Sequence, residues 1–395
     1  MPAKMSLPGE HFAETISGYQ AGGNALMKIA LVIDSLGSGG AQRQFVALAN
    51  GLSERGHQIR IFCYHDLPFF SLELSSAVIQ VVATGRRGWV RKAEILLRLA
   101  VAREEIVISF LDVPNALNLS LRFVRPGVRR IVSERNVDPG RLPIRRRVLL
   151  AMYNIADCIV ANSRCQFDNL QKRKHLKNRA RYIVNTVDTS KFCPRTSVAK
   201  IPETKILRGI VVANYANSKN PWLPINWLEL NRNKEITFDW FGNTFVDCHN
   251  DASNLYNRAA NYVKENALDN ITLHGPRLEI DKIYHEFDFL CLPSFHEGTP
   301  NVICEAMACG LPVICSAVSD NPFLVEDGIN GFLFDPCSVS SFGEAVNRLL
   351  LLSDIERLAI GSRNRQKAIS FFSQERYIDA WEDSLLTCRE QEKGG

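Results

Sequence analysis

Short apolar runs rich in β-branched residues alternate along the chain with longer stretches whose apolar positions return at the helical spacing. MKIALVI, HQIRIFCY, VIQVVA, EIVISFL, VRRIVSE, DCIVANS and RYIVN read as strands of a first half. Between most of them the spacing predicts helices, notably Ala41 to Gly56, Val90 to Arg103 and Arg145 to Ile155. In the first of these, Phe45, Leu48, Ala49 and Leu52 share one side. The pattern is lost from Thr186 to Arg208, where Pro194 and Pro202 stand among mixed charges, and this stretch reads as a linker. Alternation then restarts with strands at GIVVAN, ITFDWFG, ITLHG, DFLCLPS and LPVICS. The helices between and after them are expected near Trp222 to Leu230, Ala252 to Asn266, Glu279 to Phe287, Val339 to Leu352 and Ile355 to Phe372. FLVEDGINGFLF reads as a turn through Gly328 and Gly331. Repeated strand and helix alternation argues for parallel sheets covered on both faces. The predicted division is a mobile extension over 1–26, a first α/β domain over 27–190 and a second over 191–372. The last helical pattern, within 373–395, is expected to pack back on the first domain.

Composition narrows the class. With 395 residues, 46% of them hydrophobic and 23% charged, the chain can bury two cores of ordinary size. No apolar run approaches the ~20 residues of a spanning helix. The first 26 residues lack a cationic start followed by an apolar core, so they do not read as a signal peptide, and Met27 is the alternative start. Eleven cysteines are scattered without a C-x-x-C pair, which fits small buried hydrophobes in a reducing compartment and predicts a cytoplasmic location. Net charge is only +5, yet nine arginines (122, 125, 129, 130, 135, 141, 145, 146 and 147) fall within one stretch. Such a cluster either attracts an anionic membrane surface or a diphosphate-linked acceptor, or consists of solvated arginines on outer helix faces. Without aromatic interleaving or a binding motif, no nucleic-acid partner is expected.

Candidate chemistry is densest between Ser294 and Ser316, in SFHEGTPNVICEAMACGLPVICS. Thr299 and Pro300 suit the N-cap and first helical positions, which puts Glu297 in the loop before a helix and Glu305 inside it. Gly310 suits the left-handed position that ends the helix. A loop leading from a strand to free helix amides is where α/β proteins bind phosphorylated ligands. His296-Glu297 lacks the second histidine of a zinc helix, so no metal is expected. Gly37, Gly39 and Gly40 after the first strand permit either a close ligand approach or only a tight strand-to-helix turn.

With both halves laid out, the second resembles the nucleotide-sugar-binding domain of the retaining glycosyltransferases of family four, which have the GT-B architecture of two facing Rossmann-like domains. The matching residues are Pro293-Ser294, Glu297-Gly298, Pro300-Asn301, Glu305 to Ala308, Gly310 to Val313 and Asn330-Gly331. The first half adds LGSGGAQR, SERN at Ser133 to Asn136, ANS at Ala161 to Ser163 and NTVDTSKF at Asn185 to Phe192. Glu297 and Glu305 match the family's E-x7-E pair. The resemblance implies that Glu297 and Lys219 serve catalysis, Glu297 against the donor sugar and Lys219 against the diphosphate. It also implies donor contacts from Gly39, Gly40, Asn214, Gly298, Thr299, Asn301 and Glu305, the last facing the ribose. Glu134, Arg135 and Asn136 become candidates for sugar or acceptor contact, although Glu134 and Arg135 could instead pair with each other. Asn185 is read as a structural hinge.

Two departures stand out. Where the family has an arginine after the first strand of the second domain, this chain has Asn214, which can donate a hydrogen bond but brings no charge. Glu326 only loosely fills the place of another family glutamate. The implied function is transfer of a sugar from a nucleoside diphosphate donor, expected to be a UDP-sugar, to a glycan hydroxyl with retention of configuration. The implied acceptor is polyprenyl-diphosphate-linked, the setting is cell-surface polysaccharide synthesis at the inner face of the membrane, and no cofactor is implied. Asn214 keeps a second reading open, a non-catalytic subunit of the same architecture that binds a sugar nucleotide or scaffolds an assembly.

Overall fold

The computed structural model describes residues 26–85, 87–135, 143–195, 206–232, 234–244, 252–277 and 279–390. Most of the expected N-terminal extension, Asn136 and Arg141 lie outside the described residues.

Two wholly parallel sheets organise the chain. The first contains β1 (Lys28–Ile33), β2 (Gln58–Cys63), β3 (Ile79–Val82), β4 (Ile106–Phe110), β5 (Arg129–Glu134), β6 (Cys158–Ala161) and β7 (Ala180–Tyr182). Its order is β3-β2-β1-β4-β5-β6-β7. The second contains β8 (Leu207–Val212), β9 (Ile236–Phe241), β10 (Ile271–His274), β11 (Phe289–Leu292), β12 (Val313–Ser316) and β13 (Gly331–Phe334), ordered β10-β9-β8-β11-β12-β13. In each sheet the order reverses beside the first strand, at β1/β4 and at β8/β11. A crevice opens there at the carboxyl ends of the strands, because the flanking connections leave to opposite faces.

Helices cover the first sheet: α1 (Gly40–Glu54), α2 (Gly88–Val101), α3 (Asp112–Ser120), α4 (Ile144–Met152) and α5 (Arg164–Gln171). The second has α6 (Trp222–Leu230), α7 (Ala252–Glu265), α8 (Ile280–Tyr284), α9 (Asn301–Ala308), α10 (Asn321–Leu324), α11 (Val339–Leu350) and α12 (Asp354–Phe371). The stretch expected to turn through Gly331 is a strand instead, since β13 pairs in parallel with β12 along its length. Gly328, with φ of 79°, makes the turn before it. The strand is four residues long and opens on Gly331 itself, so in sequence it merges with the turn before it.

The last helix, α13 (Gln374–Glu390), crosses back as expected. Tyr377, Ile378, Trp381 and Leu385 join the core of the first sheet, and Trp381 stacks on Phe110 with centroids 5.7 Å apart. The approach to α1 is close enough that a Cβ on Gly51 would stand 2.3 Å from Ile378. Glu382 fixes the register by reaching His57 at 3.0 Å. Among the described residues no helix is long and apolar enough to cross a membrane.

Among the described residues, the clustered arginines do not form one basic face. Arg129 and Arg130 are buried, the first donating to the Leu385 carbonyl and the second paired with Asp157. Arg125 donates to the carbonyls of Leu99 and Glu104, and buried Arg146 pairs with Asp112 and Glu134. Arg122, Arg145 and Arg147 face solvent.

Candidate active site

The loops after β1, β8 and β11, the strands at the two reversal points, meet at one cavity of about 350 Å³ lined by both halves of the molecule. Gly39, Gly40 and Arg43 come from the first loop and the start of α1, Asn214 and Lys219 from the second, Glu297 to Asn301 from the third.

Helix α9 frames the site. Its end follows the expected pattern: Gly310 has φ of 73°, Gly310 N donates to Met307 O and Leu311 N to Ala306 O. These two bonds are the pair that a left-handed residue makes possible after a last helical turn. Its start differs from expectation. The helix begins at Asn301, Pro300 is extended with ψ of 115°, and no side chain caps it. Thr299, one residue too far out, uses its hydroxyl across the cleft, 2.5 Å from the Asn162 carbonyl and 3.1 Å from Asp320. No side chain accepts from the first-turn amides of α9; Ile303 N donates to the Pro300 carbonyl, while the two amides before it, as at any helix start, have no acceptor within the helix. They carry the positive end of its dipole toward the cavity.

Lys219 is delivered by a tight turn. Asn220 takes the left-handed conformation at φ of 55°, which asparagine tolerates, and donates to the Pro336 carbonyl. Pro221 then leads into α6. The result places Lys219 Nζ 2.7 Å from Glu297 Oε1, with Glu297 buried. Asn214 accepts from the Asn243 amide at 3.2 Å and so ties together the loops after β8 and β9.

Glu305 is held from the other side of the cleft. Its Oε1 accepts a charged hydrogen bond from Arg43, and its Oε2 accepts from Tyr284 at 3.1 Å. The Arg43 guanidinium lies 5.6 Å from the ring centre of Phe70 and 5.8 Å from that of Phe192, within cation–π range of both. Glu305 beside it raises the Arg43 pKa, and burial together with Glu305 pushes the Tyr284 phenol well above its ordinary value. Arg277, at the rim, makes no hydrogen bond or ion pair among the described residues.

The glycines do less alone than the sequence suggests. A Cβ on Gly40 would stand 3.0 Å from the Asn301 amide nitrogen, which donates to the Gly40 carbonyl. Asn301, expected at the donor, thus has its side chain committed to the first domain. Asn185, read as a hinge, is in the cleft as well. It donates to Thr299 O at 3.0 Å and Asn301 Oδ1 at 2.7 Å, and accepts from Arg135 at 2.7 Å.

The SERN residues separate. Glu134 does not line the cavity and does not pair with Arg135; it is buried with Arg146 at 2.7 Å and the Tyr153 hydroxyl at 2.8 Å. Burial raises its pKa, which Arg146 partly offsets. As the last residue of β5 it points under the sheet edge, while Arg135, one residue on, turns to the other side. Arg135 lines the cavity, but its guanidinium lies 4.1 Å from the Phe110 ring centre, and burial lowers its pKa. Sequence reasoning missed Arg43, although it closes LGSGGAQR three positions after Gly40; no local signal ties it to Glu305, 262 positions away. Among the described residues no group of three or more histidine, cysteine or acidic side chains could hold a metal ion.

Both halves of the chain match known protein families. Residues 38–191 match the model of Glycosyltransferase Family 4, and residues 212–351 that of Glycosyl transferases group 1. An uncharacterized glycosyltransferase of Haemophilus influenzae is 26% identical over 91% of this chain and all of its own length. D-inositol 3-phosphate glycosyltransferase of Mycobacterium marinum is 33% identical, but over 26% of this chain and 22% of that protein. UDP-Gal:alpha-D-GlcNAc-diphosphoundecaprenol alpha-1,3-galactosyltransferase of Escherichia coli is 34% identical over 31% of each chain. The matched stretches thus span less than a third of these last two relatives. In fold, the chain superimposes on Anabaena HepE, solved in complex with UDP and glucose, with a TM-score of 0.80 over 91% of this chain and all of that one at 18% identity. Together the two family models cover well over half of the sequence, and the chain belongs to the glycosyltransferases that join a Family 4 domain to a group 1 domain in the GT-B fold.

Proposed function

We propose that this protein transfers a sugar from a UDP-sugar to a hydroxyl of a lipid-linked glycan, with retention of anomeric configuration, in cell-surface polysaccharide synthesis. The observation that carries the reading is the convergence of Lys219, Glu297 and the α9 amides at the cleft where the two sheets reverse. In this reading the diphosphate lies against the helix start, and Lys219 with the amides stabilises the charge that develops as the sugar leaves. Glu297 accepts hydrogen bonds from the sugar, and Glu305 from the ribose diol. Gly298, Thr299 and Asn301 contribute backbone, while Asn214 contributes at most a neutral donor. The leaving phosphate itself takes the acceptor proton, so no protein base and no metal are assigned. The UDP preference and the lipid-linked acceptor lean on the Escherichia coli relative named for both and on the UDP in the Anabaena structure. Work at the inner face of the membrane would draw on Arg122, Arg145 and Arg147, which remain on the surface.

The absence of an arginine at Asn214 favours a second reading, a subunit that binds the sugar nucleotide without transferring it. Incubation with UDP-, GDP- and ADP-sugars and a polyprenyl-diphosphate-linked acceptor, followed by mass analysis, decides between them. A product heavier by one sugar, with its anomeric configuration retained by NMR, supports the transferase. Donor binding without product supports the subunit.

A further inference from the structure

We propose that Arg43 is a positioning residue for the ribose of the donor: it reaches across the cleft from the first domain and sets the Glu305 carboxylate to receive the sugar diol. The role rests on the function proposed above and adds to it a residue from the opposite half of the molecule.

The geometry assigns one anchor to each oxygen of Glu305, Arg43 to Oε1 and the Tyr284 hydroxyl to Oε2. A carboxylate has about four lone-pair sites, so roughly two remain for a pair of vicinal hydroxyls, one on each oxygen. Without Arg43 the carboxylate would be buried beside a single neutral donor, free to turn and uncompensated in charge. Arg43 removes both obstacles at once. Its own position is also set, since Phe70 of the first half and Phe192 of the linker flank the guanidinium. The side chain is 32% exposed against 4% for Glu305, so the pair sits at the wall of the cavity and not inside either core.

An ordered ribose site therefore exists only while the two domains are together. In a cleft opened far enough to part α1 from α9, Glu305 keeps Tyr284 and loses its charged partner. Arg43 acts through Glu305 and is not assigned contact with the diphosphate.

Binding of UDP, GDP and ADP, each beside its 2′,3′-dideoxy analogue, to wild-type protein and Arg43→Ala by calorimetry tests this. With the ribonucleotide that binds, Arg43→Ala is expected to weaken affinity by about tenfold or more, as for loss of support to a charged hydrogen-bonding group. With the dideoxy form, wild type and variant should bind nearly alike. In transfer assays the donor KM should rise with kcat changed by less. An equal loss with dideoxy nucleotides, or a fall confined to kcat, overturns the proposal and moves Arg43 to the diphosphate; unchanged affinity for the ribonucleotide overturns it as well. Arg43→Lys should recover part of the binding. Tyr284→Phe removes only the second anchor and should show a smaller loss with the same dependence on the diol, which keeps the test available if the alanine variant does not fold. Wild-type protein that binds none of the three nucleotides brings down the proposed function itself.

Discussion

Glu297 and Glu305 stand eight positions apart, are both buried and are each met by a cation, yet the cations come from different halves of the molecule. Lys219 belongs to the same domain as Glu297 and reaches it from the neighbouring strand end, so this pair persists whatever the first domain does. Arg43 belongs to the other domain, and its pair with Glu305 depends on closure. One carboxylate is thus a fixed part of the second domain, while the other is completed by contact between domains. A third buried pair, Glu134 with Arg146, lies wholly inside the first domain and away from the cavity, which makes it a control for what burial alone does.

The largest expected effect breaks the fixed pair. Lys219→Ala should lower kcat by about 10²–10³-fold, the usual loss when one group stabilising developing charge is removed; transfer rates at saturating donor measure it, and a normal kcat would assign the diphosphate charge to another group such as Arg277. Next comes the control. Glu134→Gln should cost about 3 kcal/mol of stability, near the low end for breaking a buried pair because Arg146 keeps Asp112, with nucleotide affinity unchanged. Denaturant unfolding beside calorimetry checks both halves of that statement. Glu305→Ala should weaken donor binding by about 1.5–3 kcal/mol, and equal affinity of wild type and variant would remove the ribose assignment. The smallest effect is expected from chelation: transfer in excess EDTA should proceed at the untreated rate, since Lys219 and helix amides, not a metal, are assigned to the diphosphate.

Legibility in sequence followed how local each feature is. The β11 loop, α9 and the Gly310 turn lie within one stretch, and Gly310 suits the left-handed backbone it adopts, so Glu297 and Glu305 stood out even though the helix starts one residue later than expected. Both sheets were visible as alternating runs, because parallel strands buried on two faces read as continuous apolar segments. The short β13 had no such signal. Pairs joining distant segments were hidden: Arg43 is 262 positions from Glu305, and Asn185 is 114 from the Thr299 carbonyl it holds. Nothing in SERN shows that Glu134 is buried in a pair, because its partners Arg146 and Tyr153 arrive from a later segment. The arginine-rich stretch misled for the same reason, its charges being counted before their partners were known.

The passage of α13 back across the molecule has a consequence for the order of synthesis. The first sheet leaves the ribosome early, but its core around Phe45 and Phe110 is completed by Tyr377, Ile378, Trp381 and Leu385, which come last. The half translated first is therefore the half finished last, with unsealed surface exposed while the second domain is made. A stop codon or frameshift just upstream of α13 would spare every residue of the cleft and still leave the nascent protein prone to aggregate.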